Sequence, residues 1–144
     1  MLRIELEMQN EELRRTQNEL EASRARYFYL YELAPVGLFT FSEQGLVLEA
    51  NLTAAKLLGV ARRTLLRQPL TRFILTEDQS TYYRHRQQLV ATGAPQVCEL
   101  QMVKRDGTQF RARLEATAAQ GIDGTPEYRA LLSDNTGRKP VMEG

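Results

Sequence analysis

The sequence holds one histidine and one cysteine, the two side chains best suited to hold a metal or act as a nucleophile. His85 stands in the segment Tyr82–Arg86, between two arginines that indicate a solvent-facing side chain. One imidazole can serve as the axial ligand of a haem iron, so haem held by His85 stays a minor alternative. A structural zinc centre takes about four ligands, which one cysteine and one histidine cannot supply. The sequence therefore predicts no metal site and no resident cofactor.

Acid–base chemistry is no better supported. The acidic pairs Glu43/Glu49 and Glu77/Asp78 fall in a predicted turn and at a predicted helix start, where solvated or capping roles are usual. Cys98 falls within a predicted strand, where a thiol commonly serves as a small buried apolar group. No glycine-rich loop of the kind that cradles phosphate is present. Without a nucleophile–base pair or a metal cluster, we expect a non-catalytic chain.

Composition places the chain among ordinary globular proteins. It has 144 residues, of which 42% are hydrophobic and 26% charged, with a formal net charge of +1. Such a weak net charge gives no reason to expect a nucleic-acid or membrane partner. No apolar run approaches the roughly 20 residues that span a bilayer, and the acidic N-terminus is unlike a signal peptide. A single cysteine makes no intrachain disulfide, so we expect a cytoplasmic domain.

The N-terminal 30 residues are predicted to form one amphipathic helix, because they lack Gly and Pro and are rich in good helix formers. A row of apolar side chains repeats every seven residues and suggests a dimerising coiled-coil seam: Leu6, Leu13, Leu20 and Tyr27. The second seam position is largely polar in either register, which predicts a weak coiled coil that depends on the following domain. The alternative is a solvated helix that packs on its own domain.

Turns and apolar runs after the helix predict the order strand, strand, helices, three strands. The turns end at Gly45, Gly107 and Gly124. The predicted strands are residues 36–41, 46–50, 97–103, 110–116 and 128–132, with the last placed centrally beside the first. A helix at 52–58 has Asn51 as its N-cap and Gly59 as its C-cap, and a Thr76-x-x-Gln79 capping box is predicted at the start of the long helix.

These features resemble a PAS domain, a bacterial sensory and dimerisation module. The resemblance rests on an ordered set of short motifs, of which none is specific alone: residues 34–37, 48–51, 57–59, 104–107 and Asp134-x-Thr136-x-Arg138-Lys139. It implies an α+β fold in which helices cover one face of a five-stranded antiparallel sheet of order 2-1-5-4-3. The predicted division is a helix at 1–30, a PAS domain at 31–137 and an exit linker at 138–144.

The resemblance also implies an exit motif, in which Asp134 and Thr136 couple the sheet to an outgoing helix. Both side chains readily bond to nearby backbone groups. The family usually has an apolar residue between them, whereas this chain has Asn135. A plain turn at the end of the domain is therefore the alternative.

A small-molecule pocket between the sheet and the helices is the chemistry that the resemblance favours most. Its predicted lining is apolar with few polar groups, as ligand pockets commonly are: Leu38, Thr40, Leu57, Phe73, Tyr82, Leu89, Leu100, Met102 and Leu114. The alternative is that these residues fill a solid core. Photoactive flavin is not expected, because the helical stretch that carries the reactive cysteine in such members has none here.

The sequence thus predicts a regulatory module that dimerises and relays a signal to neighbouring domains, as in the sensor segment of a histidine kinase. The alternative function is a sensor with a small apolar ligand in the pocket. No kinase core is present, and the abrupt helical beginning suggests a fragment of a longer signalling protein.

Overall fold

A computed structural model describes residues 2–136 of the chain, and from residue 7 onward also their side chains. The predicted exit linker, residues 138–144, and the side chain of Leu6 lie outside the described part. The chain divides into two compact units between Leu33 and Ala34, whereas the sequence-based division fell after residue 30. The first unit is helix α1, Leu2–Tyr31, which confirms the N-terminal helix. No helix among the described residues is long and apolar enough to cross a membrane.

The second unit is built on a five-stranded antiparallel sheet. The strands are β1 (Gly37–Phe41), β2 (Val47–Ala50), β3 (Gln96–Val103), β4 (Gln109–Gln120) and β5 (Pro126–Asp134). Their spatial order is β2-β1-β5-β4-β3, so the predicted topology and the central place of β5 are confirmed. The strands β4 and β5 extend beyond their predicted ends.

The three predicted hairpin turns share one hydrogen-bond pattern. In each, the glycine N–H donates to the carbonyl three residues earlier: Gly45 to Ser42, Gly107 to Lys104, and Gly124 to Gly121. The three glycines have φ between 82° and 91°, which is the left-handed region that residues with a Cβ rarely adopt. Each of these turns therefore requires a glycine at its last position.

Helices connect β2 to β3. They are α2 (Leu52–Leu58), α3 (Arg62–Leu65) and α4 (Gln79–Thr92), with two 3₁₀ turns at Leu70–Phe73 and Thr76–Asp78. The side chain of Asn51 accepts from the Ala54 N–H at 2.9 Å, and Gly59 ends α2 with φ 71°, as predicted.

The predicted capping box before α4 is wrong. The Gln79 amide donates to the carbonyls of Thr71 and Ile74, each at 3.2 Å, instead of reaching back to the Thr76 backbone. Asp78 likewise accepts from Gln101 N–H in β3 at 2.7 Å. Both polar side chains therefore join neighbouring segments, which a local sequence pattern cannot reveal.

Alternation along the strands decides which side chains enter the core. Phe39 and Phe41 are buried at 2% and 6% exposure, and their rings stack with centroids 5.5 Å apart. Leu100 and Met102 on β3 and Leu132 on β5 complete the buried sheet face. From the helical side, the core receives Ala54, Ala55, Leu58, Leu65, Leu70, Tyr82 and Leu89.

The segment of residues 67–78, the edge segment, bonds to both outer strands of the sheet. At β2, the N–H of Arg67 donates to the Val47 carbonyl at 2.6 Å. At β3, the N–H of Leu75 donates to the Gln101 carbonyl at 3.0 Å, and Ile74 bridges to Met102. Part of each sheet edge is thus occupied by the chain's own backbone.

Candidate functional site

A small cavity lies between α4 and the sheet. Its volume is about 40 Å³. The wall is formed by β1, α4, β3, β4 and β5, and most of it is apolar: Phe41, Tyr82, His85, Arg86, Leu89, Gln96, Cys98, Leu114, Ala116, Tyr128 and Ala130. About 10–15 Å³ suffices for one water, so the cavity admits a molecule of only a few heavy atoms.

The structure brings together only some of the residues predicted to line a pocket. Tyr82, Leu89 and Leu114 line the cavity. Leu100 and Met102 are buried in the adjoining core, and Leu57 and Phe73 pack against it, but none of these four reaches the cavity.

Leu38 and Thr40 differ most from the prediction. They alternate with Phe39 and Phe41 along β1, so they point to the opposite face of the sheet and remain half-buried. The sequence offered both faces of this strand, since both carry apolar residues. Phe39 and Phe41 are two residues apart and therefore lie on the same face of β1. Two large aromatic side chains on one face were the signal that could have identified Phe41 as a wall residue.

Burial controls the ionisation of two cavity residues. Burial raises the pKa of the Tyr82 phenol to about 12. Burial, aided by the carboxylate of Asp78, raises the pKa of the Cys98 thiol to about 11. Both groups therefore stay protonated at neutral pH, and Cys98 is a thiol of low nucleophilicity, in agreement with its predicted role as an apolar group.

Two consecutive residues of α4, His85 and Arg86, contribute polar groups to the cavity wall. The His85 ring donates from Nδ1 to the Thr81 carbonyl at 2.8 Å, one turn earlier. Arg86 reaches from α4 to the turn between β1 and β2, where its Nη2 donates to the Glu43 carbonyl. The sequence alone does not indicate this role for Arg86, because only the fold brings these elements together.

Gly45 makes room for the Arg86 guanidinium. A Cβ at this position would stand 2.7 Å from the Arg86 Cζ. The turn requires the φ of 82° at Gly45, and the missing Cβ leaves space for the guanidinium in its present position.

The predicted exit residues form a local hydrogen-bonded turn. Asp134 Oδ1 accepts from the Thr136 N–H at 2.8 Å, and Thr136 Oγ1 accepts from the Arg111 N–H in β4 at 3.0 Å. The Asn135 N–H donates to the Arg111 carbonyl at 2.7 Å. The ladder between β4 and β5 therefore continues past the end of β5.

Asn135, which stands where the family usually has an apolar residue, forms a hydrogen bond with the outer strand β3. Its Nδ2 donates to Glu99 Oε1 on β3 at 2.8 Å, and the other carboxylate oxygen of Glu99 accepts from Arg111 at 2.6 Å. The Arg111–Glu99 ion pair is half-exposed, so its own contribution to stability is at most about 1 kcal/mol. Its importance is geometric, because it joins the chain exit to two strands.

A candidate metal centre is not found in the part of the chain that the structure describes. No group of three or more His, Cys, Asp or Glu residues there could hold a metal ion.

Solved structures with the same fold come from several signalling proteins. One is the PAS domain of an HTR-like protein from Haloarcula marismortui, with a TM-score of 0.71, 20% identity, and coverage of 84% of this chain and 98% of that one. Another is a domain of a sensory box sensor histidine kinase/response regulator from Geobacter sulfurreducens. Its TM-score is 0.63 at 23% identity, with coverage of 80% of this chain and 96% of that one.

A third similar structure contains a small molecule. It is the PAS domain, in complex with ethanol, of a LuxR-family transcriptional regulator from Burkholderia thailandensis, with a TM-score of 0.62, 18% identity, and coverage of 75% and 96%. A comparison with curated proteins found no match.

The family assignment follows from the sequence itself. The family model described as the PAS fold matches residues 25–133, which is most of the chain. The chain belongs to the PAS family, as its motifs suggested, and PAS domains are generally sensory, non-catalytic modules.

Proposed function

We propose that the chain is a non-catalytic sensory module that dimerises and relays a conformational change to an output domain of a cytoplasmic signalling protein. The observation that carries the proposal is the apolar row on α1. Leu13, Leu20 and Tyr27 are 61%, 50% and 59% exposed. Three large apolar side chains in heptad spacing favour burial against another helix.

A second apolar surface supports self-association. On the sheet face opposite the core, Leu38 lies beside Leu131 in the ladder between β1 and β5. Leu131 is 41% exposed, and Val97 on β3 is 49% exposed. Because the seam on α1 is half polar, we propose that the dimer buries this sheet face together with the helices.

The exit turn is the proposed route of the signal. Asp134 and Thr136 fix the backbone direction, while Asn135 and Arg111 tie it to Glu99. A displacement of β3 or β4 would therefore move the outgoing chain. A ligand or partner acts by favouring one of two packings. The similarity to a histidine kinase domain supports a parent protein of that class.

Dimerisation is tested by sedimentation equilibrium of the purified chain. We expect a dimer for the unaltered chain and a monomer for Leu13→Lys/Leu20→Lys, because two ammonium groups would enter the seam. Glu11→Gln/Asn18→Lys is the matched control, since it adds the same charge on the other side of the helix. Self-association that survives Leu13→Lys/Leu20→Lys would sink the proposal.

The second candidate function is small-molecule sensing, favoured by the cavity beside α4. A similar PAS domain has ethanol bound, so the fold accommodates molecules of this size. Native mass spectrometry should then show a reproducible extra mass that denaturation releases, and a bare polypeptide mass would favour the relay alone.

A further inference from the structure

Among the described residues that line the cavity beside α4, Arg86 is the one permanently charged side chain. The lining includes the basic residues Arg86 and His85 but no aspartate or glutamate. The remaining wall is apolar except for Tyr82, Gln96 and Tyr128. A ligand that complements this wall has an apolar body and one anionic end.

Arg86 has unused capacity to bind an anion. Its guanidinium donates to the Glu43 carbonyl and forms no ion pair with a carboxylate in the described residues. A guanidinium has five N–H donors in a planar fork that matches a carboxylate. The arginine is held at the cavity rim by its hydrogen bond to Glu43, so an arriving carboxylate would meet a positioned side chain.

Tyr82 gives an independent indication of a polar ligand atom. It is only 7% exposed and lines the cavity, yet its hydroxyl has no hydrogen-bond partner among residues 7–136. The hydroxyl is therefore available to donate a hydrogen bond to an acceptor in the cavity. Its raised pKa keeps the proton available for donation.

The cavity's size limits the apolar part of the ligand. A volume of about 40 Å³ is well below the roughly 150 Å³ of an engineered cavity that binds benzene. An aromatic ring or a large cofactor would therefore require the wall to move, whereas an alkyl chain of two or three carbons would not.

We infer that the cavity binds a short-chain monocarboxylate, with its alkyl tail against Leu89 and Leu114 and its carboxylate on the Arg86 guanidinium and the Tyr82 hydroxyl. This inference rests on the small-molecule-sensing candidate and names its ligand class. Because Arg86 also donates to the Glu43 carbonyl, the ligand would be coupled to the turn between β1 and β2.

The test compares three probes with the same three-carbon skeleton: propionate, 1-propanol and n-propylammonium. NMR titration follows the methyl groups of Leu89 and Leu114 and the amide of Tyr128. We expect propionate to bind about tenfold more tightly than 1-propanol, because an ionised partner strengthens the hydrogen bonds, and n-propylammonium not to bind.

Arg86→Gln should weaken propionate binding about tenfold and leave 1-propanol unchanged. Arg84→Gln is the matched control, since it removes the same charge from an exposed position on α4 and should bind propionate normally. Tyr82→Phe is a second variant that removes only the hydroxyl, and it should weaken propionate binding about threefold. Superimposable spectra of the free variants establish that each is folded.

Two outcomes would overturn the inference in distinguishable ways. One such outcome is equal affinity for propionate and 1-propanol, or an equal loss of propionate affinity in Arg86→Gln and Arg84→Gln. It would reject a carboxylate as the ligand and leave a sensor of neutral molecules. No saturable shift at the cavity residues with any probe would reject ligand sensing at this site altogether, leaving the dimerisation proposal to its own test.

Discussion

Asn51 does more at the residue scale than cap a helix. It is 0% exposed, and its Oδ1 accepts from the N–H groups of Leu38 and Ala54, each at 2.9 Å. Its Nδ2 donates to the Val36 carbonyl at 3.1 Å. One side chain thus joins the start of α2 to Leu38 in β1, thirteen residues earlier in the sequence.

Asn51→Ala should therefore destabilise the domain by about 3 kcal/mol, because it removes the cap and leaves buried backbone groups without partners. Urea unfolding followed by circular dichroism gives the free energy of unfolding. Asn18→Ala, at an exposed position on α1, is the control and should have little effect. A loss below about 1 kcal/mol for Asn51→Ala would mean that water replaces these bonds.

At the scale of elements, Gly37 sets how closely α2 approaches the sheet. A Cβ at this position would lie 3.0 Å from the Ala54 Cα and 3.3 Å from the Leu57 Cδ1. The first of these atoms belongs to the helix backbone, which cannot move without shifting α2 as a whole. The glycine is needed for close packing, not for an unusual φ.

Gly37→Ala should cost about 1–3 kcal/mol, the usual range for an overpacked core, measured by the same urea unfolding. Gly121→Ala is the matched control. Its added Cβ would meet the Glu127 carboxylate, the end of a side chain that can turn away. Equal stability of the two variants would contradict the role of Gly37 in helix–sheet packing.

Elements could be predicted from the sequence wherever local chemistry decides the structure. Asn51 and Gly59 bound α2 as expected, and Gly45, Gly107 and Gly124 mark the three turns. Leu38 and Phe39 are both apolar, so neither residue alone shows which side of β1 faces the helices, whereas Phe39 and Phe41 together on one side do. The Arg86–Glu43 contact was also beyond reach, since it joins residues 43 positions apart.

The whole molecule should lose stability in alkali, owing to the raised pKa of Cys98 and Tyr82. Between the ordinary pKa of a thiol, 9.0, and about 11, the unfolded chain loses the Cys98 proton while the native protein retains it. The unfolded state then binds fewer protons, so the free energy of unfolding falls as the pH rises. The Tyr82 phenol, whose pKa is raised from 10.0 to about 12, extends this decline over the pH range between those two values.

Urea unfolding at steps from pH 8 to about pH 11 measures this decline. Above pH 9, the free energy of unfolding of Cys98→Ala should fall less steeply with pH than that of the unaltered chain. Above pH 10, the same should hold for Tyr82→Phe. Other tyrosines and the lysines titrate in all three proteins, so only the differences in slope are informative. Identical slopes would contradict the assigned burial of both groups.

The edge segment has a consequence for how copies of this domain meet. An open sheet edge is a template on which a strand from another molecule can add, and this is the usual start of fibril growth. Here residues 67–78 already bond to Val47 on one outer strand and to Gln101 on the other. The domain therefore resists strand-by-strand misassembly at these points, even where signalling proteins are crowded together.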